Sequence, residues 1–226
     1  MRPFRPRLEI LPPEQRKLWP ALGPTAELGL VLYGGTAIAL RLGHRPSVDF
    51  DFFTEASLDR GAIRAALPFL ARATVVQDQP EAWSLLVPGT GGEHSHVKVS
   101  FFGTIGFGRV GEPDLTEDGI LQVASLADLM ATKVKVVLQR AEAKDYRDVA
   151  TMVRAGVSLA SGLGAARELF GEGFQPSESL KALVFFGDGD LATLLGDEKA
   201  TLVEAVSAVR SLPEVAVLSR RLGAGP

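Results

Sequence analysis

The chain has 226 residues, with 24 lysines and arginines against 27 aspartates and glutamates, a formal charge of −3. That balance excludes a uniformly basic protein that coats nucleic acid, so any such contact must come from a local basic face. Cysteine is absent and only His44, His94 and His96 represent histidine, which excludes disulfide frameworks and thiol nucleophiles and leaves little for a multi-histidine metal centre.

Residues 1–24 read as a basic N-terminal arm. Arg2, Arg5, Arg7, Arg16 and Lys17 outnumber Glu9 and Glu14, and six prolines allow at most one short helix, beginning near Pro13. This start lacks the apolar stretch of a signal peptide, and no run anywhere approaches the ~20 apolar residues of a membrane span. A cytoplasmic protein without membrane contact is the expectation.

Residues 25–124 carry a mixed α/β pattern. Leu28–Tyr33 reads as a buried strand ended by Gly34-Gly35, and Thr36 as the cap of a short helix to Leu42, closed by Gly43. Ser47–Phe53 alternates with period two and predicts a strand. Ser57 reads as the cap of a helix from Leu58 to about Leu70. Strands are expected at 73–77, 83–87 and 97–102, with the Gly-Thr-Gly-Gly stretch at 89–92 as a hairpin connection. From Ser125 the pattern turns helical. Leu126, Leu129, Met130, Val134 and Val137 form one apolar stripe, and further helices are expected at 143–155, 159–170, 177–186 and 197–211. The fold class is therefore α+β: a mixed sheet with flanking helices, then a helical region over 125–226.

The chemistry concentrates in Gly34-Gly35-Thr36 and Asp49-Phe50-Asp51. Residues two apart on a strand share a face, so Asp49 and Asp51 project together while Phe50 and Phe52 face the opposite layer. Clustered carboxylates repel unless a cation neutralises them. Magnesium is the usual solution, held by one or two carboxylates and completed by water and substrate phosphates. The glycines let backbone approach a phosphate, and the helix that follows offers unpaired N–H groups at its positive end. A lone Asp-x-Asp is usually a solvated strand face, and a lone Gly-Gly is usually a turn. Together in this order they read as a phosphate cradle facing a metal clamp, which suits nucleotidyl transfer.

Tyr33-Gly-Gly-Thr-Ala-Ile-Ala-Leu40, followed by Gly43-His-Arg-Pro-Ser-Val-Asp-Phe-Asp-Phe-Phe53, resembles the signature of the DNA polymerase β-type nucleotidyltransferase superfamily. More narrowly, it resembles the AbiEii/AbiGii family of bacterial toxins. A second block is similar as well: Ser125 to Lys133, then Gln139-Arg140 and Lys144-Asp145-Tyr-Arg-Asp148. The resemblance implies a nucleotidyltransferase-type core at 25–124 and a helical region that completes its active-site cleft. It further implies Asp49 and Asp51 as metal ligands and catalytic residues with Lys133, and Gly34, Gly35, Thr36, Arg45, Ser47, Arg140, Lys144, Asp145 and Asp148 as nucleotide-binding. Mg2+, with Mn2+ as an alternative, and a nucleoside triphosphate would be required. The acceptor would be RNA, with tRNA ends foremost, and a cognate antitoxin would restrain the toxin.

If one helix ran from Ser125 past Lys144, Lys133 and Arg140 would fall within ~20° of each other and Lys144 ~40° further on, giving a basic stripe for triphosphate or RNA. An ordinary solvated face, with Asp145 and Asp148 paired to nearby bases, is the plainer reading. Lys133, at the edge of the apolar stripe, is expected to deliver its ammonium into the cleft, with Lys135 ~160° away pointing elsewhere. One departure stands out: superfamily members commonly place a third carboxylate on a later strand, and here that position falls on Ser100. The general base is then unassigned, with His44, Asp145 or Asp148 as candidates, and a two-metal mechanism is in doubt. Lys98, His94 and His96 read as solvated surface. A protein or small-molecule acceptor, or a catalytically weakened nucleotide- or partner-binding protein, remain alternative readings.

Overall fold

The computed structural model describes residues 3–91 and 95–224. Arg2, Gly92 and His94 lie outside the described residues. The chain forms two compact units: one from the residues up to Gly108, Glu112–Ala124 and the segment from Ser219 onward, the other from Arg109–Gly111 and Ser125–Leu218.

The first unit opens with α1 (Pro13–Leu18), started by proline at its first position, and α2 (Pro24–Glu27). The N-terminal arm is packed onto this unit. Leu11, Trp19 and Leu22 are buried, and the Trp19 indole N–H donates to Asp118 at 2.7 Å. Among the described residues, seven strands follow in one mixed sheet: β1 (Val31–Tyr33), β2 (Asp49–Phe53), β3 (Thr74–Gln79), β4 (Ala82–Pro88), β5 (His96–Phe102), β6 (Asp114–Leu115) and β7 (Gln122–Val123). Their order is β3-β4-β5-β2-β1-β7-β6, with β2–β5 and β1–β7 parallel. Helix α3 (Gly34–Leu42) joins β1 to β2, and α4 (Arg60–Ala66) follows β2.

Period-two alternation decides the two sides of the central strands. Phe50, Phe52, Trp83, Leu85, Val99 and Phe101 are all buried on one face. Their rings form a row, Phe50 to Phe52 at 6.4 Å, Phe52 to Phe101 at 5.7 Å and Phe101 to Trp83 at 5.7 Å. Arg41 of α3 staples the sheet's far edge, binding the Val123 and Ala124 carbonyls and Asp114 and lying over the Phe4 ring. The segment from Ser219 completes this unit. Leu222 is fully buried, its N–H donates to Glu55, and the Ala224 N–H donates to the Gln122 side chain.

Several boundaries differ from expectation for local reasons. The first strand spans only Val31–Tyr33, because Gly29 at φ +68° turns the chain and the Leu30 N–H bonds back to Thr25. Helix α4 is capped by Asp59 rather than Ser57, its carboxylate accepting the Ala62 N–H, and stops before Pro68, which cannot continue the hydrogen-bond ladder. A 3-10 turn covers Pro68–Arg72.

The second unit holds α5 (Leu126–Val136), α6 (Ala143–Arg154), α7 (Leu159–Phe170), α8 (Pro176–Val184) and α9 (Gly196–Ala208). Ser125 caps α5, and the Asp128 carboxylate accepts the Ser125 hydroxyl and the Val110 and Gly111 N–H groups. Burial raises the Asp128 carboxyl above its ordinary range despite those donors. Helices α5 and α7 pack closely at Gly162, where any side chain would collide with Met130. Among the described residues, no helix is long and apolar enough to cross a membrane.

Candidate active site

Strand β1 pairs antiparallel with β2, setting Tyr33 opposite Asp51, so the Gly34-Gly35 turn leaves the sheet beside the aspartates. Gly34 has φ +75°, a conformation costly for any residue with a Cβ. A Cβ there would also lie 3.0 Å from Asp51 Oδ2. The glycine therefore serves two needs, the turn and the close approach of a carboxylate to backbone. Asp49 and Asp51 are half-buried on the face opposite Phe50 and Phe52.

Helix α3 starts at Gly34 rather than after Thr36. The Thr36 hydroxyl lies 2.7 Å from the Ser47 hydroxyl and is also bonded to the Asp49 carbonyl. Thr36 and Ser47 are both buried, so they tie the start of β2 to the first turn of α3 and hold Asp49 in place. The half-buried Arg45 donates through its guanidinium to the Pro46 carbonyl at 3.1 Å.

The parallel β2–β5 register sets Lys98 beside Asp49 and Ser100 beside Asp51, and β4 continues the rows with Leu86 and Ser84. Ser100 is fully buried and its hydroxyl lies 3.1 Å from that of Ser84, which in turn reaches Gln77. The position beside Asp51 is thus neutral, closed and occupied by a hydroxyl pair. Lys98, expected as solvated surface, is half-buried on the aspartate face. A cavity of about 340 Å³ borders Val48, Gln15 and His96 in the same unit.

The donor set at β2 fits a hard divalent cation that keeps water and phosphate ligands. It does not form a closed protein cage: among the described residues, no group of three or more His, Cys, Asp or Glu gathers to hold a metal.

The second unit holds the other block. Helix α5 ends at Val136 and α6 begins at Ala143, so no single helix carries Lys133, Arg140 and Lys144, and the continuous basic stripe does not form. The fold-back sets the Lys133 ammonium 2.5 Å from Asp145 Oδ1 and 2.7 Å from Asp148 Oδ2, with all three side chains at most 6% exposed. Arg140 adds a 2.7 Å contact to Asp145. Burial opposes ionisation of Asp145, but the hydrogen bonds and charges of Arg140 and Lys133 overcome it and hold the carboxyl below its ordinary range. Lys144 is exposed and pairs with Glu142 at 2.7 Å. Lys135 lies over the Phe170 ring at 4.1 Å.

Residues 23–208 match the family model described as the nucleotidyl transferase AbiEii toxin of a type IV TA system. The chain belongs to the AbiEii family. Both the Gly-Gly/Asp-x-Asp block and the Lys133–Asp148 block fall inside the matched stretch. An uncharacterized protein of Aquifex aeolicus (strain VF5) is 31% identical over 147 residues, 62% of this chain; the match spans 66% of that protein, just under two thirds of its length. Among solved structures, the nucleotidyltransferase toxin MenT4 from Mycobacterium tuberculosis H37Rv superposes with a TM-score of 0.48 at 15% identity, over 84% of this chain and 90% of that one.

In this AbiEii chain, the structure brings together Gly34 with Asp51, Thr36 with Ser47 and Asp49, and Lys133 and Arg140 with the acids of α6. Sequence reasoning took Lys98 for solvated surface and did not see its place beside Asp49. Its only signal was its offset of two from Ser100, already matched to the aspartate strand.

Proposed function

We propose that this AbiEii chain transfers a nucleoside monophosphate from a nucleoside triphosphate to an RNA hydroxyl, with tRNA ends as the first candidates, and acts as a toxin restrained by a cognate antitoxin. The observation that carries the reading is the pair Asp49 and Asp51, half-buried on one strand face, with the backbone of Gly34 drawn against Asp51. In the reaction, the acceptor oxygen bonds to the α-phosphorus, the bond to the bridging oxygen of the β-phosphate breaks, and pyrophosphate leaves while the hydroxyl proton passes to a base. Asp49 and Asp51 would hold Mg2+ or Mn2+, which supplies charge neutralisation at the phosphates. The N–H groups of the first turn of α3 offer donors to phosphate oxygens. Thr36 and Ser47 fix β2 so that these groups stay in register. Exposed Arg5 and Arg7 suit an RNA backbone.

The test is incubation with each α-labelled triphosphate, Mg2+ and total RNA. Label is expected in RNA. Label in protein or in a small molecule would change the acceptor class. The buried Ser100 in place of an acid favours a second reading, a nucleotide-binding protein without turnover, and nucleotide binding with no labelled product would select it.

A further inference from the structure

A two-ion clamp stabilises both the attacking and the leaving oxygen of a phosphoryl displacement, and it needs carboxylates enough to hold two divalent cations. Among the described residues, β2 and the strands beside it, β1 and β5, offer only Asp49 and Asp51. Beside Asp51 stands Ser100, fully buried and bonded to Ser84, so a second ion finds neither charge nor an open ligand there. Beside Asp49 stands a cation already, because the β2–β5 register sets Lys98 in the same row and on the same face. A lysine ammonium is a compact point charge with three donors on a flexible stem, well suited to a phosphate oxygen.

We infer that this site takes a single divalent ion, at Asp49 and Asp51, and that the Lys98 ammonium supplies the positive charge a second ion would bring. The inference rests on the nucleotidyl-transfer reading above and deepens it. Formal charge supports the exchange. Two carboxylates, one divalent ion and one ammonium present the same net charge of plus one as three carboxylates and two divalent ions, so the triphosphate meets an equivalent field. The substitution also removes a repulsion, since a second ion beside Asp49 would have to sit against Lys98. Lys98 then touches substrate directly, donating to a non-bridging oxygen of the α-phosphate as negative charge builds on it. The ammonium keeps its proton throughout, and the base that takes the acceptor's proton is a separate group.

The test counts ions. Mn2+ is titrated into the full chain with a non-hydrolysable α,β-methylene triphosphate and followed by electron paramagnetic resonance, and anomalous scattering locates the Mn2+ in crystals of the same complex. One ion per chain at Asp49 and Asp51 is expected. The second arm is Lys98→Met measured without nucleotide. Losing a neighbouring positive charge should tighten Mn2+ binding about fivefold, whereas Lys98→Arg should leave it near wild type. With nucleotide present, Lys98→Met should lower kcat on the order of 100-fold. Two ions at the site, or unchanged Mn2+ affinity in a folded Lys98→Met, would overturn the inference while leaving nucleotidyl transfer standing. No Mn2+ at the aspartates at all would overturn the transfer reading and this inference with it.

Discussion

Lys133→Met tests whether the second unit is held together by its buried ion cluster. The ammonium lies between Asp145 Oδ1 at 2.5 Å and Asp148 Oδ2 at 2.7 Å, and the side chains of both acids are fully buried. Methionine keeps most of the stem, so the packing loss stays below about 1.5 kcal/mol. The charge loss dominates: removing one partner of a buried pair costs about 3–5 kcal/mol because the remaining charges are left in a poor solvent. Against a total stability of about 5–15 kcal/mol, this is a large share. With a urea slope of about 1–3 kcal/mol per molar, the midpoint followed by far-UV circular dichroism should fall by at least about 1 M.

The pH dependence fixes the mechanism further. In the wild type the Asp145 carboxyl is held low, so its contribution is present above its unfolded value near ~3.9 and is lost as pH falls through the lower folded one. In Lys133→Met the buried Asp145 carboxyl loses one of the two charges that hold it low and shifts up, so the gap to wild type should shrink from pH 7 towards pH 4. Replacing the acids as well, in Lys133→Met with Asp145→Asn and Asp148→Asn, should recover most of the loss, because neutral groups carry no uncompensated charge. A midpoint unchanged within about 0.3 M, accompanied by lost nucleotide use, would refute this reasoning and make Lys133 a nucleotide contact instead.

Asp49→Ala and Asp51→Ala should each abolish transfer while preserving the fold, since a repelling pair is relieved; activity within about tenfold of wild type, ~1.4 kcal/mol of barrier, would show that the aspartates do not drive the reaction. Gly34→Ala should cost about 1–2 kcal/mol from the backbone conformation alone, measured by urea unfolding. It should also weaken Mn2+ binding, because the new Cβ presses on Asp51 Oδ2. Thr36→Val keeps the shape but leaves the Ser47 hydroxyl and the Asp49 carbonyl short of a partner, so a loss of about 1–3 kcal/mol in stability and a lower kcat at near-constant KM are expected from unfolding curves and steady-state kinetics.

The aspartate face was legible because strand alternation has a period of two and only one phase buries Phe50 and Phe52. Gly34 was legible because few residues can end a buried strand so abruptly. Helix α7 was legible to its ends from its apolar pattern, starting after Ser158, whose side chain caps it. What stayed hidden depends on pairing across the chain. β6 and β7 are two residues each, too short for any periodicity to register. The place of Lys98 depends on the β2–β5 register, which joins segments 49 residues apart by number (Asp49 with Lys98). The break before Ala143 was legible, since a separate helix was expected from 143, but that the fold-back makes Lys133 the base shared by Asp145 and Asp148 was not. The anchoring of the arm went unread because its prolines dominate the local signal, whereas Leu11, Trp19 and Leu22 are what hold it.

The return of the segment from Ser219 to the first unit sets an order of events during synthesis. A ribosome delivers the aspartate strand, the glycine turn and the rest of the described sheet before the helices of the second unit, yet Leu222 reaches its buried seat only after that unit has been made. Until then the sheet's unit lacks one of its core residues and the ligands that Glu55 and Gln122 will take. Domains commonly fold as they emerge, N-terminal first. Here the unit that bears the aspartates has its full set of core residues only once the whole helical unit has been translated.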